Sequence, residues 1–258
     1  MRILLIGGGG LLGTGTSHHL ARRHEVRILD RSRSVAADVE PADGEPADVE
    51  FVEGDCTDPL VVGRAVSGVD AVVHMAAVVP RMGGADDPER VAAAFAVNVA
   101  SVHLALTQAA RVGCQAFVHV STLSVFQHYL AEPVDAQAAP DAVHPYGLTK
   151  RLAEQVCATL SAELPLAVVS LRLAHPTPDA DWPRWRLPEP GTHPRTVTMA
   201  DGTALPALSA DDAARAFEAA IAYRGPYRTL GLTGGQEGVA LLNSDTHQAL
   251  NWVPTRHF

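Results

Sequence analysis

Short apolar runs rich in β-branched residues recur at positions 3–6, 26–29, 51–52, 71–74, 117–120 and 167–171, and longer helix-compatible stretches separate most of them. Runs this short predict strands, and their alternation with helices predicts an α/β fold built on a doubly wound parallel sheet. Two helices are well marked by apolar residues at spacings of three and four: Val91, Phe95, Val99, Val102, Leu106 and Ala109, then Leu148, Leu152, Val156 and Leu160. Each has one stripe to bury against the sheet, and Ala-rich faces of this kind also suit a dimer interface.

Between Ser34 and Glu50 the pattern gives way to Ala, Asp, Glu and Pro, with Ala-Asp-Val-Glu at 37–40 and again at 47–50. This predicts an exposed, poorly ordered connection. After Leu173 the prolines at 176, 178, 183, 188, 190 and 194 break any long element. Ser209-Ala210-Asp211-Asp212 then offers a capping box for a helix through about Ala222. The chain is expected to divide into a sheet domain over residues 1–173 and a small C-terminal cap over 174–258, interleaved with it and facing the substrate.

The 258 residues suffice for one large α/β domain with a cap. Lys and Arg number 20 against 29 Asp and Glu, a net charge of -9, which leaves no basic field for nucleic acid or an anionic membrane. Cys56, Cys114 and Cys157 show neither pairing nor metal-ligand spacing, so no metal site is expected and a reducing cytoplasm is the natural compartment. The apolar start at residues 3–6 stops too soon at a glycine cluster to be a signal peptide, and no later stretch reads as a membrane span.

Candidate chemistry starts at that cluster, Gly7-Gly8-Gly9-Gly10-Leu11-Leu12-Gly13. Following a strand and opening a helix, Gly7, Gly10 and Gly13 supply a tight turn, close backbone approach to a pyrophosphate, and close helix-to-strand contact. Asp30 ends the second strand seventeen residues later. Its carboxylate suits a ribose diol and repels a 2′-phosphate, which favours NAD. The adjacent Arg31 and Arg33 leave NADP open.

Farther on, Tyr146-Gly147-Leu148-Thr149-Lys150 sets a phenol and an ammonium four residues apart on one helix face. A free Tyr, with a pKa of about 10, is too weakly acidic to be a base at neutral pH, but a nearby Lys and an oxidised nicotinamide both favour phenolate. The phenol can then take a proton from a substrate hydroxyl as hydride leaves the carbon. Ser121-Thr122, ending the strand at 117–120, would sit beside the same cofactor.

With these motifs in this order, the chain resembles the extended short-chain dehydrogenase/reductases, the family of nucleotide-sugar epimerases and dehydratases, over nearly its whole length. The resemblance implies a Rossmann-like fold. Within it, Gly7, Gly10, Leu11, Leu12 and Gly13 correspond to the glycine loop, Asp30 with Arg31 to the ribose site, and Asp55-Cys56 to the adenine contact. Met75-Ala76-Ala77 resembles the end of the family's fourth strand along the cofactor, and Asn98, in the helix that follows, is expected by the same resemblance to contact the cofactor. Val120, Leu173 and His175 are expected near the nicotinamide, and Thr122, Tyr146 and Lys150 align with the catalytic hydroxyl and the Tyr/Lys pair.

The chain departs from the family where Phe126-Gln127 replaces Tyr-Gly and where Leu171-Arg172-Leu173-Ala174-His175-Pro176 lacks the Asn-Val-Tyr-Gly continuation. Only about eighty residues follow the sixth strand, which suits a small substrate better than a sugar nucleotide. Stretches at 171–173, 177–179 and 250–254 resemble the uronate dehydrogenases. Val79, Arg81, Ser124, His175 and Arg184 are the substrate candidates, the arginines for an anionic group. His18, His19 and His74 read as packed rather than metal-binding. The expectation is an NAD-dependent oxidoreductase acting on a secondary alcohol of a sugar, uronate or similar small molecule, working as a homodimer. An epimerase with transient NAD reduction is the alternative, a dehydratase ranks below it, and a non-catalytic dinucleotide sensor is last.

Overall fold

The computed structural model describes residues 1–32, 49–80, 87–187, 191–235, 238–242 and 245–256. Arg33, Arg81 and nearly all of the Ala/Asp/Glu/Pro connection lie outside them.

Seven parallel strands form one sheet: β1 (Arg2–Ile6), β2 (Glu25–Asp30), β3 (Val49–Glu53), β4 (Ala71–His74), β5 (Ala116–Thr122), β6 (Ala167–Leu173) and β7 (Arg228–Leu232), in the spatial order β7-β6-β5-β4-β1-β2-β3. Every pairing between neighbours is parallel. The order reverses between β1 and β4, and there the strand ends open a crevice for a ligand.

Successive residues of β1 feed opposite cores, as alternation demands. Ile3 and Leu5 pack with Phe217 and Ile221 of α6 (Ala210–Ala222) and Leu20 of α1 (Leu11–Ala21). Leu4 and Ile6 pack with Val62 of α2 (Pro59–Ala65) and Val102 and Leu106 of α4 (Ser101–Arg111). The sixth apolar run is followed by a strand that the sequence pattern missed, β7, whose Thr and Gly dilute the signal. Ser209 caps α6 by accepting from the Asp212 amide. Residues 174–258 thus divide: α6 and β7 complete the sheet domain, while Val197, Met199 and Leu205 build a separate cluster with Leu123, Phe126 and Leu241 over the strand ends.

The predicted helix around Val91–Ala109 is a continuous run, α3 (Pro88–Phe95), a π turn (Ala96–Ala100) and α4. The whole run, Pro88–Arg111, is long and apolar enough by length and composition to cross a membrane, contrary to the sequence expectation. Its Val102, Ala105, Leu106 and Ala109 are buried in the core with Val72 of β4 and Phe117 of β5.

The helix α5 (Pro145–Ser161) corrects a second expectation. Leu152 of the predicted stripe is 39% exposed, and the buried face carries Gly147, Thr149, Lys150, Ala153, Glu154 and Cys157. Polar groups occupy that face because the strands beneath offer them partners. Ser121 Oγ donates to Glu154 at 2.6 Å, and Arg172 of β6 grips the same carboxylate through two hydrogen bonds of 2.9 and 2.8 Å.

Candidate active site

The crevice is a cavity of about 850 Å³ running from the glycine loop to the end of β6. Gly7 turns the chain at φ +85°, and a Cβ there would lie 2.5 Å from the backbone of Ala76. Only glycine lets the loop approach β4 so closely. α1 then starts at Gly10 with no side-chain cap and no acid in its first turn. The amides of Leu11, Leu12 and Gly13 therefore have no intrahelical acceptor and suit a diphosphate. Asp30 accepts from Gly9 N at 2.9 Å and from Arg31 N at 2.7 Å, which ties the carboxylate to the loop at the ribose position. Asp55 is held low by hydrogen bonds from Thr57, and with Cys56 it lines the same end of the cavity. These residues fit an NAD molecule laid across the strand ends.

Met75, Ala76, Ala77 and Val79 continue the wall, and Val120, Thr122, Ser124, Tyr146, Lys150, Leu173 and His175 close the far end. Asn98 is placed differently from the expectation. It is fully buried in the π turn, accepting from Val78 N and donating to Val78 O and Thr149 Oγ1, so it fastens the loop after β4 to α5. Arg184 is exposed and off the cavity, whereas Arg186 and Arg195 line it. In an irregular, proline-rich stretch there is no periodicity to say which arginine turns inward.

α5 brings the reactive groups together. His144 caps it by accepting from Gly147 N, Pro145 occupies its first turn, and a Cβ at Gly147 would stand 2.2 Å from Ser124 O. That close approach holds the start of α5 against the turn after β5, where Tyr146 and Thr122 line the same end of the cavity. Burial pushes the phenol up to about 12, against the lowering influence of Thr122. The expected lowering by Lys150 is not what this geometry provides. Lys150, 1% exposed, donates to Val120 O at 2.6 Å and to His119 Nε2 at 3.2 Å, and burial brings the ammonium down to about 8. In this arrangement the phenol is protonated at neutral pH, poised as an acid toward a carbonyl oxygen; work as a base needs the positive charge of an oxidised nicotinamide beside it.

The substrate wall adds residues that the sequence did not single out. The Tyr129 hydroxyl and His175 Nε2 share a hydrogen bond of 3.1 Å, and Trp185 packs edge-on against the same imidazole with ring centroids 4.7 Å apart. His175 takes a left-handed backbone, φ +47°, and its Nδ1 is buried without a partner among the described residues. Burial and Arg195 lower it to about 4, so it is a neutral hydrogen-bonding group. Arg186 is engaged by Asp181 at 2.6 and 2.7 Å. Arg195 stacks over Trp185, and among the described residues no carboxylate pairs with it. Aromatic residues interrupting the proline-rich segment were the available signal for this wall.

The model of the NAD dependent epimerase/dehydratase family matches residues 3–178. A 3 beta-hydroxysteroid dehydrogenase/Delta 5-->4-isomerase of Mycobacterium tuberculosis is 38% identical over 126 residues, 48% of this chain and 32% of that protein. A 2-alkyl-3-oxoalkanoate reductase of Stenotrophomonas maltophilia is 33% identical over 180 residues, 67% of this chain and 50% of its own. The chain thus spans 32% and 50% of the length of these two curated relatives. A uronate dehydrogenase from Agrobacterium tumefaciens complexed with NAD superimposes with a TM-score of 0.75 at 18% identity, covering 99% of this chain and 85% of that one.

Proposed function

Because the chain belongs to the NAD dependent epimerase/dehydratase family, whose members are NAD-using enzymes of the extended short-chain dehydrogenase/reductase type, we propose that it is an oxidoreductase interconverting a secondary alcohol and a ketone on a small anionic substrate, such as a sugar acid. The observation that carries this reading is the convergence of Thr122, Tyr146 and Lys150 on one end of the cavity, opposite the glycine loop. NAD supplies the hydride acceptor. Tyr146 transfers the proton at the substrate oxygen, Thr122 holds the phenol and that oxygen in line, and Lys150 binds the nicotinamide ribose.

The anionic character rests on Arg195, a cation facing the cavity without an acidic partner among the described residues. The 2-alkyl-3-oxoalkanoate reductase and the uronate dehydrogenase are both named for carboxylate substrates. A guanidinium stacked on an indole is pre-organised to grip a carboxylate. An epimerase would use the same Tyr/Lys/Thr set. The two are separated by mixing the protein with NAD and a panel of uronic acids, hydroxy acids and sugar nucleotides: accumulation of reduced nicotinamide supports net oxidation, and isomerised product without accumulation replaces it by epimerisation. We also propose a homodimer through the faces that leave Phe95 of α3 and Leu152 of α5 each 39% exposed. A monomeric mass in solution would remove that part.

A further inference from the structure

Beneath α5 the core holds a polar row that the chemistry above leaves unused. His74, His119 and Ser170 are register partners on the adjacent strands β4, β5 and β6, so their side chains emerge side by side on one face of the sheet, and each is fully buried. Lys150 descends onto this row from α5. Its ammonium has no lone pair, so His119 Nε2 must be the acceptor at 3.2 Å and the single ring proton sits on Nδ1, 3.1 Å from Ser170 Oγ. Ser170 Oγ in turn lies 3.0 Å from the Tyr227 hydroxyl, which also reaches Glu154 O at 3.1 Å. One assignment gives every group a partner: Lys150 donates to His119, His119 to Ser170, Ser170 to Tyr227, and Tyr227 to the Glu154 carbonyl. The chain starts at the cavity wall and ends at the half-buried Tyr227 beyond β6.

Mutual satisfaction alone would not require polar groups here, since apolar side chains fill the neighbouring positions of the same core. We propose that His119, Ser170 and Tyr227 form a proton path serving Lys150, by which a proton released at the Tyr146 and Lys150 end of the cavity leaves through the sheet while cofactor and substrate block the mouth. The path deepens the oxidoreductase reading and rests on it for its purpose. In one passage the Nζ–H bond of Lys150 breaks as Nε2–H forms on His119. The Nδ1 proton moves to Ser170 Oγ and the Ser170 proton to the Tyr227 oxygen, while the Tyr227 O–H turns from the Glu154 carbonyl and gives its proton to solvent at the half-buried edge. The proton released by the substrate through Tyr146 re-forms the third Nζ–H bond of Lys150 from the cavity side, so one proton enters, one leaves, and no electron is transferred.

The groups facing Lys150 are consistent with this use. Glu154 and Cys157 face it from α5, His119 from β5 and His74 from β4, while Arg172 of β6 neutralises Glu154. Burial and the ammonium keep His119 neutral, so its lone pair stays available to the proton it is offered. His119, Ser170 and Tyr227 act through Lys150 and are positioning and relay residues; they do not touch the cavity.

The test uses the NAD-saturated protein labelled with 15N-lysine, in which the exchange of the Lys150 ammonium protons with water is followed by NMR. Tyr227→Phe keeps the ring and Ser170→Ala keeps the strand, and neither removes a contact of Lys150. Both should slow the exchange about tenfold, equivalent to losing one neutral hydrogen bond from the transfer barrier, with the Lys150 shift and NAD affinity unchanged. Exchange unaltered in both variants would overturn the path, and a lowered melting temperature with unaltered exchange would reduce these residues to packing. No substrate is needed, so a failure of the oxidoreductase reading shows separately, as absent turnover with the exchange result intact.

Discussion

Glu154 and Arg172 tie α5 to the sheet directly beneath the proposed reactive groups, and Glu154→Gln is the sharpest perturbation of that tie. The two side chains are 5% and 4% exposed, the guanidinium makes two hydrogen bonds to the carboxylate and a third to Ala136 O at 3.1 Å, and Ser121 adds another at 2.6 Å. Removing the charge of one partner leaves the other buried and uncompensated, a cost of about 3–5 kcal/mol. At roughly 2–4 °C per kcal/mol for a chain of this size, the melting temperature should fall by about 6–20 °C. The double variant Glu154→Leu with Arg172→Met removes both charges. It should recover most of the loss, retaining a deficit of about 1–2 kcal/mol from the unpaired Ser121 hydroxyl and Ala136 carbonyl. Urea unfolding followed by tryptophan fluorescence gives all three values. A single-variant loss below about 1 kcal/mol, or a double variant as unstable as the sum of its parts, would refute the buried-pair reasoning.

Acid stability has a definite sign. His74 is lowered to about 3 and His175 to about 4 by burial, so between pH 6.5 and these values the unfolded chain binds protons that the fold refuses. Stability is therefore lost as pH falls below 6.5, by up to about 1.4 kcal/mol per pH unit for each histidine. His74→Gln should flatten that slope by one proton, measured from urea midpoints between pH 7 and pH 5. Asp30→Asn should weaken NAD about tenfold, the size of one lost charge-assisted hydrogen bond, and narrow its advantage over NADP in cofactor titrations. Arg195→Met should raise KM for a carboxylate substrate roughly ten- to a hundredfold with kcat nearly unchanged, and Arg184→Met should leave KM alone in the same steady-state assay.

The parts of this molecule that repeat a local rule were legible in the sequence. Strands buried on both faces announce themselves as apolar runs, and a glycine loop between strand and helix followed by an acid at a strand end constrains the backbone wherever it occurs. The site elements that escaped depend on contacts between distant segments. The polar buried face of α5 was hidden behind a leucine stripe at helical spacing, because Glu154 is acceptable in a core only with Arg172 and Ser121 beside it. Asn98 read as a cofactor contact until Val78 and Thr149 claimed all of its polar atoms. Arg184 and Arg195 are equivalent in sequence and are separated only by the path of an irregular segment. Tyr146 and Lys150 were found by spacing, whereas the carbonyl and imidazole that hold Lys150 come from β5 and no local pattern points to them.

Tyr146→Phe is compared with the unaltered protein, each mixed with NAD and the panel of anionic alcohols, following reduced nicotinamide by absorbance and NAD binding by calorimetry. Turnover is expected from the protein, with a loss of at least about a thousandfold in the variant, within the range carried by a positioned acid/base, and NAD affinity unchanged. Turnover retained within tenfold in the variant would contradict the assignment of Tyr146 as the proton-transferring residue.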